Sequence, residues 1–531
     1  MALAARVYAA YVLGALSISS TPQLDSLEYL NWARDIAEHG WSWPVYPEHA
    51  PGYPYFAGAI LALSGGSLMA IRMAQALIGA LTCVLTARIA ERTLGPRAYV
   101  PTGLLMALYG PLLYIDTAIL AEPLFVFLLA GALNLAIDAG GRVRSWLICG
   151  LLVGAAAIVR PTALAVGAAF LATLRVRARR TDRTQAAGAF LLGVAVLTAP
   201  VAIANWRISG IPMIQAYGGM NVYLGNRPAG DGGARARLGG EWDRLEGEAS
   251  RHAATREEQD HYYVSKALAE ISERPVAYAG LLVSKAVWTL QDEELRDTHS
   301  YYFFVEQWPL LRWLPTFGWL MGLAVIGIST TRSADRTWLL VYTAAVMATL
   351  VFLVLGTRYR IPLVPAIAAF AGAGVAALIE QVRAAQWQRA GVFAGVAVLA
   401  WGLSEIRQDP ASRNFSEEWA FTGLAHLQSD RVEDAEAAYR KAISLSDSSF
   451  AWDGLGLVLQ RRQLRIEARE AFERALQINP DNATAWLHLG LAFEYLGNPP
   501  RAIDAYGKAV AVAPARTDAR EIYEGAKRRY Q

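Results

Sequence analysis

The sequence predicts an all-α protein in two parts: a polytopic membrane bundle of about eleven helices, then a C-terminal helical solenoid. Three observations lead there. Of 531 residues, 54% are hydrophobic and only 18% charged, with a mean hydropathy of +0.25, too apolar for an ordinary soluble chain of this length. Long uncharged runs fill about the first 400 positions, whereas the last 115 or so read as soluble helices. Within that tail, Trp452 and Trp486 recur 34 residues apart in matching surroundings.

Taken in order, candidate spans cover about 3–20, 67–90, 97–116, 119–137, 145–159, 161–176, 187–206, 312–329, 337–355, 361–380 and 389–405. Several are shorter than the ~20 residues of a perpendicular span, so tilting or extension is required. The first run lacks a small-residue cleavage pattern and is expected to be a retained span. Basic residues orient the chain. Arg88, Arg92 and Arg97, then Arg142 and Arg144, then the run Arg175 to Arg183 mark inside loops. That puts the N-terminus inside and the loops at about 21–66 and 207–311 outside. The run Val276 to Leu290 is read as an amphipathic interfacial helix, because only then do Arg332, Arg336, Arg383 and Arg389 also fall inside. The C-terminal part then lies outside as well. Formal charge is only +3, so nucleic acid is not an expected partner. Cys83 and Cys149 sit inside apolar runs and read as small core residues.

The first outer loop, Leu24 to Phe56, is dense in carboxylates, Trp, Tyr and Pro. Asp25 to Glu38 has helical spacing, which places Asp25, Glu28, Tyr29 and Trp32 on one face. The PGYP run from Pro51 to Pro54 predicts an extended or turning return. An ionisable group in or beside a span costs about 2.5–3.5 kcal/mol, so each one demands a reason. By topology Asp25, Glu28, Arg72, Asp116, Glu122, Arg160, Lys285, Arg358 and Arg360 all come to the outer face. Such a set suits deprotonation of an acceptor beside a departing phosphate. Plain alternatives stand next to each role: a helix-cap acid for Asp25, a first-turn acid for Glu122, snorkelling arginines for Arg358 and Arg360. His39 and His49, ten apart, read as loop histidines rather than metal ligands. The segment Gly218 to Asn226 is either a Gly/Asn-rich turn or a lid over substrate.

In the tail, Leu455, Gly456, Ala468, Phe472, Ala475 and Pro480 follow Trp452 at the same offsets as Leu489, Gly490, Ala502, Tyr506, Ala509 and Pro514 follow Trp486. Trp419, Gly423, Ala435, Tyr439 and Ala442 make an earlier, weaker copy. This is the tetratricopeptide pattern, in which small residues let two helices approach and an aromatic fills the gap. Three repeats, about 416–448, 449–482 and 483–516, with a capping helix 517–531, follow a 407–415 linker. A concave groove for a partner protein is expected.

Residues 1–406 resemble the polyprenol-phosphate-sugar-dependent GT-C glycosyltransferases, which include the protein O-mannosyltransferases and aminoarabinose transferases. The pieces that carry the likeness are Asp25 with Tyr29, then APGYPYF (Ala50 to Phe56), IRMAQALIGAL (Ile71 to Leu81), YIDTAILAEPLF (Tyr114 to Phe125) and VRPTAL (Val159 to Leu164). GGMNVYLGNRPAGDG (Gly218 to Gly232) and TRYRIPLVP (Thr357 to Pro365) complete the set. The resemblance implies a GT-C fold in the cytoplasmic (inner) membrane and a lipid-linked sugar as donor. It implies Asp25 as base, with Glu122 supporting it and Asp116 and Glu28 nearby. It implies Arg358 and Arg360 on the donor phosphate; Arg160, Lys285 and Arg72 are expected beside them from the topology alone. Tyr29, His49, Tyr53, Asn221, Tyr223 and Asn226 are expected to face substrate. No cofactor is expected, and the chemistry needs no metal. Adjacent acids occur in the first loop of many relatives, whereas Ser26 follows Asp25 here. A transporter or flippase is the competing class, but its polar groups would sit mid-span. A non-catalytic scaffold would not need the loop.

Overall fold

Small residues set the spacing of the bundle. A Cβ on Gly327 would lie 1.9 Å from the Phe370 carbonyl oxygen, and one on Gly374 would lie 2.1 Å from that of Leu323. The helices Phe317–Thr330 and Val364–Arg383 therefore meet backbone to backbone. Gly150 and Gly193 do the same for Val143–Val159 and Arg180–Ser209. The computed structural model describes residues 1–44, 48–177, 180–210, 212–215, 218–228, 230, 232, 241–253, 255–296, 298–406, 409–514 and 516–530. Parts of the Leu24–Phe56 loop, of the Arg175–Arg183 run and of the Gly218–Gly232 segment thus lie outside the described residues. Those that are described form helices and no strand.

Among the described residues, five helices are long and apolar enough to cross a membrane, or seven if each of two bent pairs is one span. The expected eleven is reached only by adding the shorter helices Val143–Val159, Ala163–Arg175 and Arg336–Phe352 and the helix Trp387–Ser404. The first expected span is the leading part of one of the bent pairs. Ala2–Gly14 turns through 99° by way of Ser17–Ser20 into Asp25–His39. Leu24, at φ 54°, makes the last part of that turn in a backbone region that leucine rarely adopts. The second pair, Pro96–Leu108 and Gly110–Thr117, bends by 55°.

The PGYP expectation is corrected. Pro51 caps, and Pro54 lies in the first turn of, an apolar helix Gly52–Ser64. Proline is tolerated there because the N–H groups of a first turn have no helical acceptor. Gly52–Ser64 packs on Asp25–His39, so the segment expected as the first outer loop is a helical hairpin.

The bends are stapled by polar side chains. Arg72 donates to the Thr117 carbonyl at 3.2 Å and the Ser19 carbonyl at 2.5 Å, one oxygen from each bent pair. Gln75 donates to the carbonyls of Asp116 and Ala118 and accepts from the Tyr53 hydroxyl at 2.6 Å. Arg6 and Asp116 form an ion pair at 2.7 Å, both side chains at most 1% exposed. Gly79 makes room for it, since a Cβ there would come within 2.3 Å of Asp116 Oδ2. Removing one partner of a pair buried like this costs about 3–5 kcal/mol.

The tetratricopeptide helices pair as Ser416–Gln428 with Val432–Leu445, Ser449–Arg461 with Arg465–Ile478, and Ala483–Tyr495 with Pro499–Val512, and Thr517–Tyr530 follows. Gly423, Gly456 and Gly490 each face the ring of Tyr439, Phe472 or Tyr506 so closely that a Cβ would collide with it. The stack is docked on the same end of the bundle as Asp25. Arg413 Nη1 lies 2.9 Å from both Glu293 carboxylate oxygens and its guanidinium 4.2 Å from the Tyr302 ring. Phe303 packs on Phe415 and Trp419.

Candidate active site

The bend at Leu24 aims the start of Asp25–His39 into a cavity of about 580 Å³. Helical spacing then brings Asp25, Glu28 and Tyr29 to its wall. Trp32, expected on that face, packs instead against Trp43 and Tyr55. Glu48 and His49 reach the wall from the end of the same loop. Across from them stands Arg358, in the four-residue helix Thr357–Arg360. Its Nη1 is 2.5 Å from Asp25 Oδ2, joining groups 333 residues apart.

Two guanidiniums share one aromatic ring here. Arg358 and Arg160 lie 4.9 and 5.0 Å from the centroid of Tyr359, within cation–π range. Arg160 follows the last turn of Val143–Val159 and pairs with Glu122, which is fully buried at the start of Glu122–Ala139. The other Glu122 oxygen has no hydrogen-bond partner among the described residues. Each arginine thus already holds a carboxylate, Asp25 or Glu122.

Burial opposes charge on Asp25, but Arg358 above all, with His49 and Arg160, outweighs it and holds the carboxyl down at about 2. His49 Nε2 is 2.5 Å from Glu28 Oε2, and its ring is 4.6 Å from Tyr29. Burial lowers the imidazole pKa, yet the Glu28 hydrogen bond and the charges of Asp25 and Glu28 raise it above 6.5 overall. A raised histidine adds stability that is complete below its unfolded value and fades as pH climbs through the folded one. The melting temperature of the intact protein should therefore exceed that of His49→Gln below pH 6.5, and the gap should close at alkaline pH. A gap that is flat with pH would contradict this.

Of the expected site residues, Asp25, Glu28, Tyr29, His49, Arg160, Arg358 and Asn221 line the cavity, with Glu122 behind Arg160. The others do not, and their placement is corrected. Arg360 points the opposite way from Arg358, pairing with Glu294 at 2.8 Å and stacking on Phe317, because residues two apart in a helical turn cannot share a face. Lys285 donates to the carbonyls of Gly225 and Leu353 at 2.9 and 3.0 Å. Arg72, Asp116 and Tyr53 are absorbed by the bends. Tyr223 donates to Glu270 and lies under Lys266, and Asn226 donates to Val222 and Leu353. His39 bonds Asp35. Sequence reasoning missed Tyr359, Gln215, Thr298, Glu417 and Phe421, all of which line the cavity. Tyr359 sat in the TRYR motif, where its position between two arginines was the available signal.

Residues 48–206 match the family described as dolichyl-phosphate-mannose-protein mannosyltransferase, and residues 447–515 match the tetratricopeptide repeat family. The chain joins a glycosyltransferase-family segment to tetratricopeptide repeats. That family segment includes Glu48, His49, Glu122 and Arg160, while Asp25 and Arg358 lie outside it. Among curated proteins, the chain is similar to anaphase-promoting complex subunit 3 of Schizosaccharomyces pombe, 32% identical over 105 residues, 20% of this chain and 15% of that protein. It is also similar to the probable UDP-N-acetylglucosamine–peptide N-acetylglucosaminyltransferase SPINDLY of Petunia hybrida, 29% identical over 120 residues, 22% of this chain and 13% of that protein. The chain thus spans less than a sixth of either relative. Among solved structures, the Arabidopsis OM64 TPR domain is 20% identical, covering 22% of this chain and 95% of that one with a TM-score of 0.21. The Yersinia enterocolitica chaperone SycD, solved with a peptide of the translocator YopD, is 16% identical, covering 24% and 99% with a TM-score of 0.21.

Proposed function

We propose that this glycosyltransferase-family protein moves a sugar from a polyprenyl-phosphate donor to an acceptor on the outer side of the cytoplasmic membrane, with inversion. The observation that carries the proposal is the Asp25–Arg358 pair, set beside Arg160 in a cavity that has one wall of apolar side chains from the bundle. Phe125, Leu129, Val166, Val346, Leu350 and Leu353 offer a lining for an isoprenoid chain. Arg358 and Arg160 take the phosphate, which a planar guanidinium fork suits better than a point charge. Asp25 accepts the proton of the acceptor hydroxyl as that oxygen forms its bond to the anomeric carbon. The anomeric carbon–oxygen bond breaks, and its electron pair leaves on polyprenyl phosphate. Glu122, buried on Arg160, is a positioning residue.

Asp25 cannot serve as base while Arg358 holds it. Donor phosphate competes for the same guanidinium, so its arrival frees the carboxylate and restores its basicity. The repeats bind the acceptor or a partner protein. Purified protein given an extract of its own cell envelope as acceptor and a panel of radiolabelled polyprenyl-phosphate hexoses and pentoses should consume one of them, and no consumption across the panel would remove the proposal. A reporter fused after Gln531 should behave as external; cytoplasmic behaviour would reverse the orientation.

A further inference from the structure

Part of one wall of the cavity comes from neither the bundle nor its loops. Glu417 and Phe421 line it, and both belong to Ser416–Gln428, the first helix of the repeats. They are four apart and so share a helix face. Phe421 is 2% exposed and packs with the core of the bundle. Its ring lies 5.3 Å from His299 and 5.3 Å from Phe450. Glu417 pairs with Arg296 and is 20% exposed. Glu418 accepts from the Ser300 N–H at 2.8 Å and sits 3.3 Å from Arg296 Nε.

The connecting segment is gripped from both sides. Arg413, Glu417 and Glu418 of the C-terminal part hold Glu293, Arg296 and Ser300. From the bundle, Thr357 Oγ1 donates to the Leu295 carbonyl at 2.7 Å and Arg360 pairs with Glu294. Arg358 lies between Thr357 and Arg360. The repeats and the Asp25-binding arginine therefore share one strap of chain.

We propose that the first tetratricopeptide helix determines acceptor specificity, with Phe421 and Glu417 as the contact residues. This rests on the sugar-transfer function proposed above. The apolar bundle wall accommodates the lipid chain and the two arginines the phosphate, leaving the wall of Thr298, Glu417 and Phe421 for the incoming hydroxyl compound. An aromatic ring offers it an apolar face. Glu417, held by Arg296, and Glu28, held by His49, present carboxylate oxygens to the approach, which favour an incoming compound that donates hydrogen bonds. The acceptor is accordingly rich in hydroxyl or amide donors at that point.

The test uses full-length Phe421→Ala, Phe421→Leu and Glu417→Lys with two readouts. One is affinity of the purified protein for polyprenyl phosphate. The other is sugar incorporation into the envelope of cells lacking the wild-type copy, where the native acceptor is present. Polyprenyl phosphate affinity should stay at the wild-type level in both Phe421 variants and should not fall in Glu417→Lys, whose added cation favours the phosphate. Incorporation should fall by about 10–200-fold for Phe421→Ala and Glu417→Lys and largely recover in Phe421→Leu. Loss of both readouts together, or of neither, would overturn the proposal; Glu417→Lys, at a part-exposed position, keeps this decidable if Phe421→Ala does not fold. Wild-type protein that neither binds polyprenyl phosphate nor restores incorporation would overturn the transfer function itself.

Discussion

Replacing Asp25 by Asn should lower donor turnover by about 10²–10⁴-fold, the range for loss of a positioned general base, while polyprenyl phosphate should bind at least as tightly as before. The second half of this result is the more telling. Asparagine has nearly the same shape but cannot hold Arg358 as an anion does, so the phosphate no longer has to displace a charged competitor from a contact of 2.5 Å. Glu28→Gln removes another carboxylate from the same wall. It leaves Arg358 engaged with Asp25, so its effect on phosphate affinity should be the smaller of the two. Purified variants titrated with polyprenyl phosphate, and assayed for donor consumption with envelope extract as acceptor, give both numbers. Full turnover by Asp25→Asn would remove Asp25 from the mechanism, and weaker phosphate binding would remove the competition.

Arg358→Gln carries the second large effect. Truncating one member of a buried, hydrogen-bonded charge pair costs about 2–5 kcal/mol, or roughly 30- to 5,000-fold in affinity, and polyprenyl phosphate should bind more weakly by that factor. Arg360→Gln supplies the contrast. It strands Glu294, which is 2% exposed, and so should lower thermal stability while changing phosphate affinity far less. If the two variants lose phosphate equally, the division of labour between them is wrong.

The helices that carry the site were legible because apolar runs and helical spacing are local properties. Asp25–His39 and the tetratricopeptide helices fall where spacing put them. What stayed hidden was which polar groups meet. Asp116 looked like a cavity acid because nothing near it in the chain announces Arg6, 110 residues away. Arg360 looked like a second phosphate ligand because TRYR places two arginines side by side in print, although a helical turn sends them to opposite sides. Lys285 and Arg72 satisfy loose carbonyls at helix ends and bends, a need created only by the tertiary path. Glu417 and Phe421 were invisible for another reason. The repeat pattern reports how each helix packs on its partner, and it is silent about what the exposed end of the stack touches.

The docking of Arg413 on Glu293, and of Phe303 between Phe415 and Trp419, bears on inheritance. Genes for repeat arrays shuffle readily when the array hangs from a tether. Here an exchange of arrays would leave a carboxylate without its cation and bare an aromatic face toward water. Descendants of this chain should therefore vary the later repeats freely while transmitting the first one and the bundle as a linked pair.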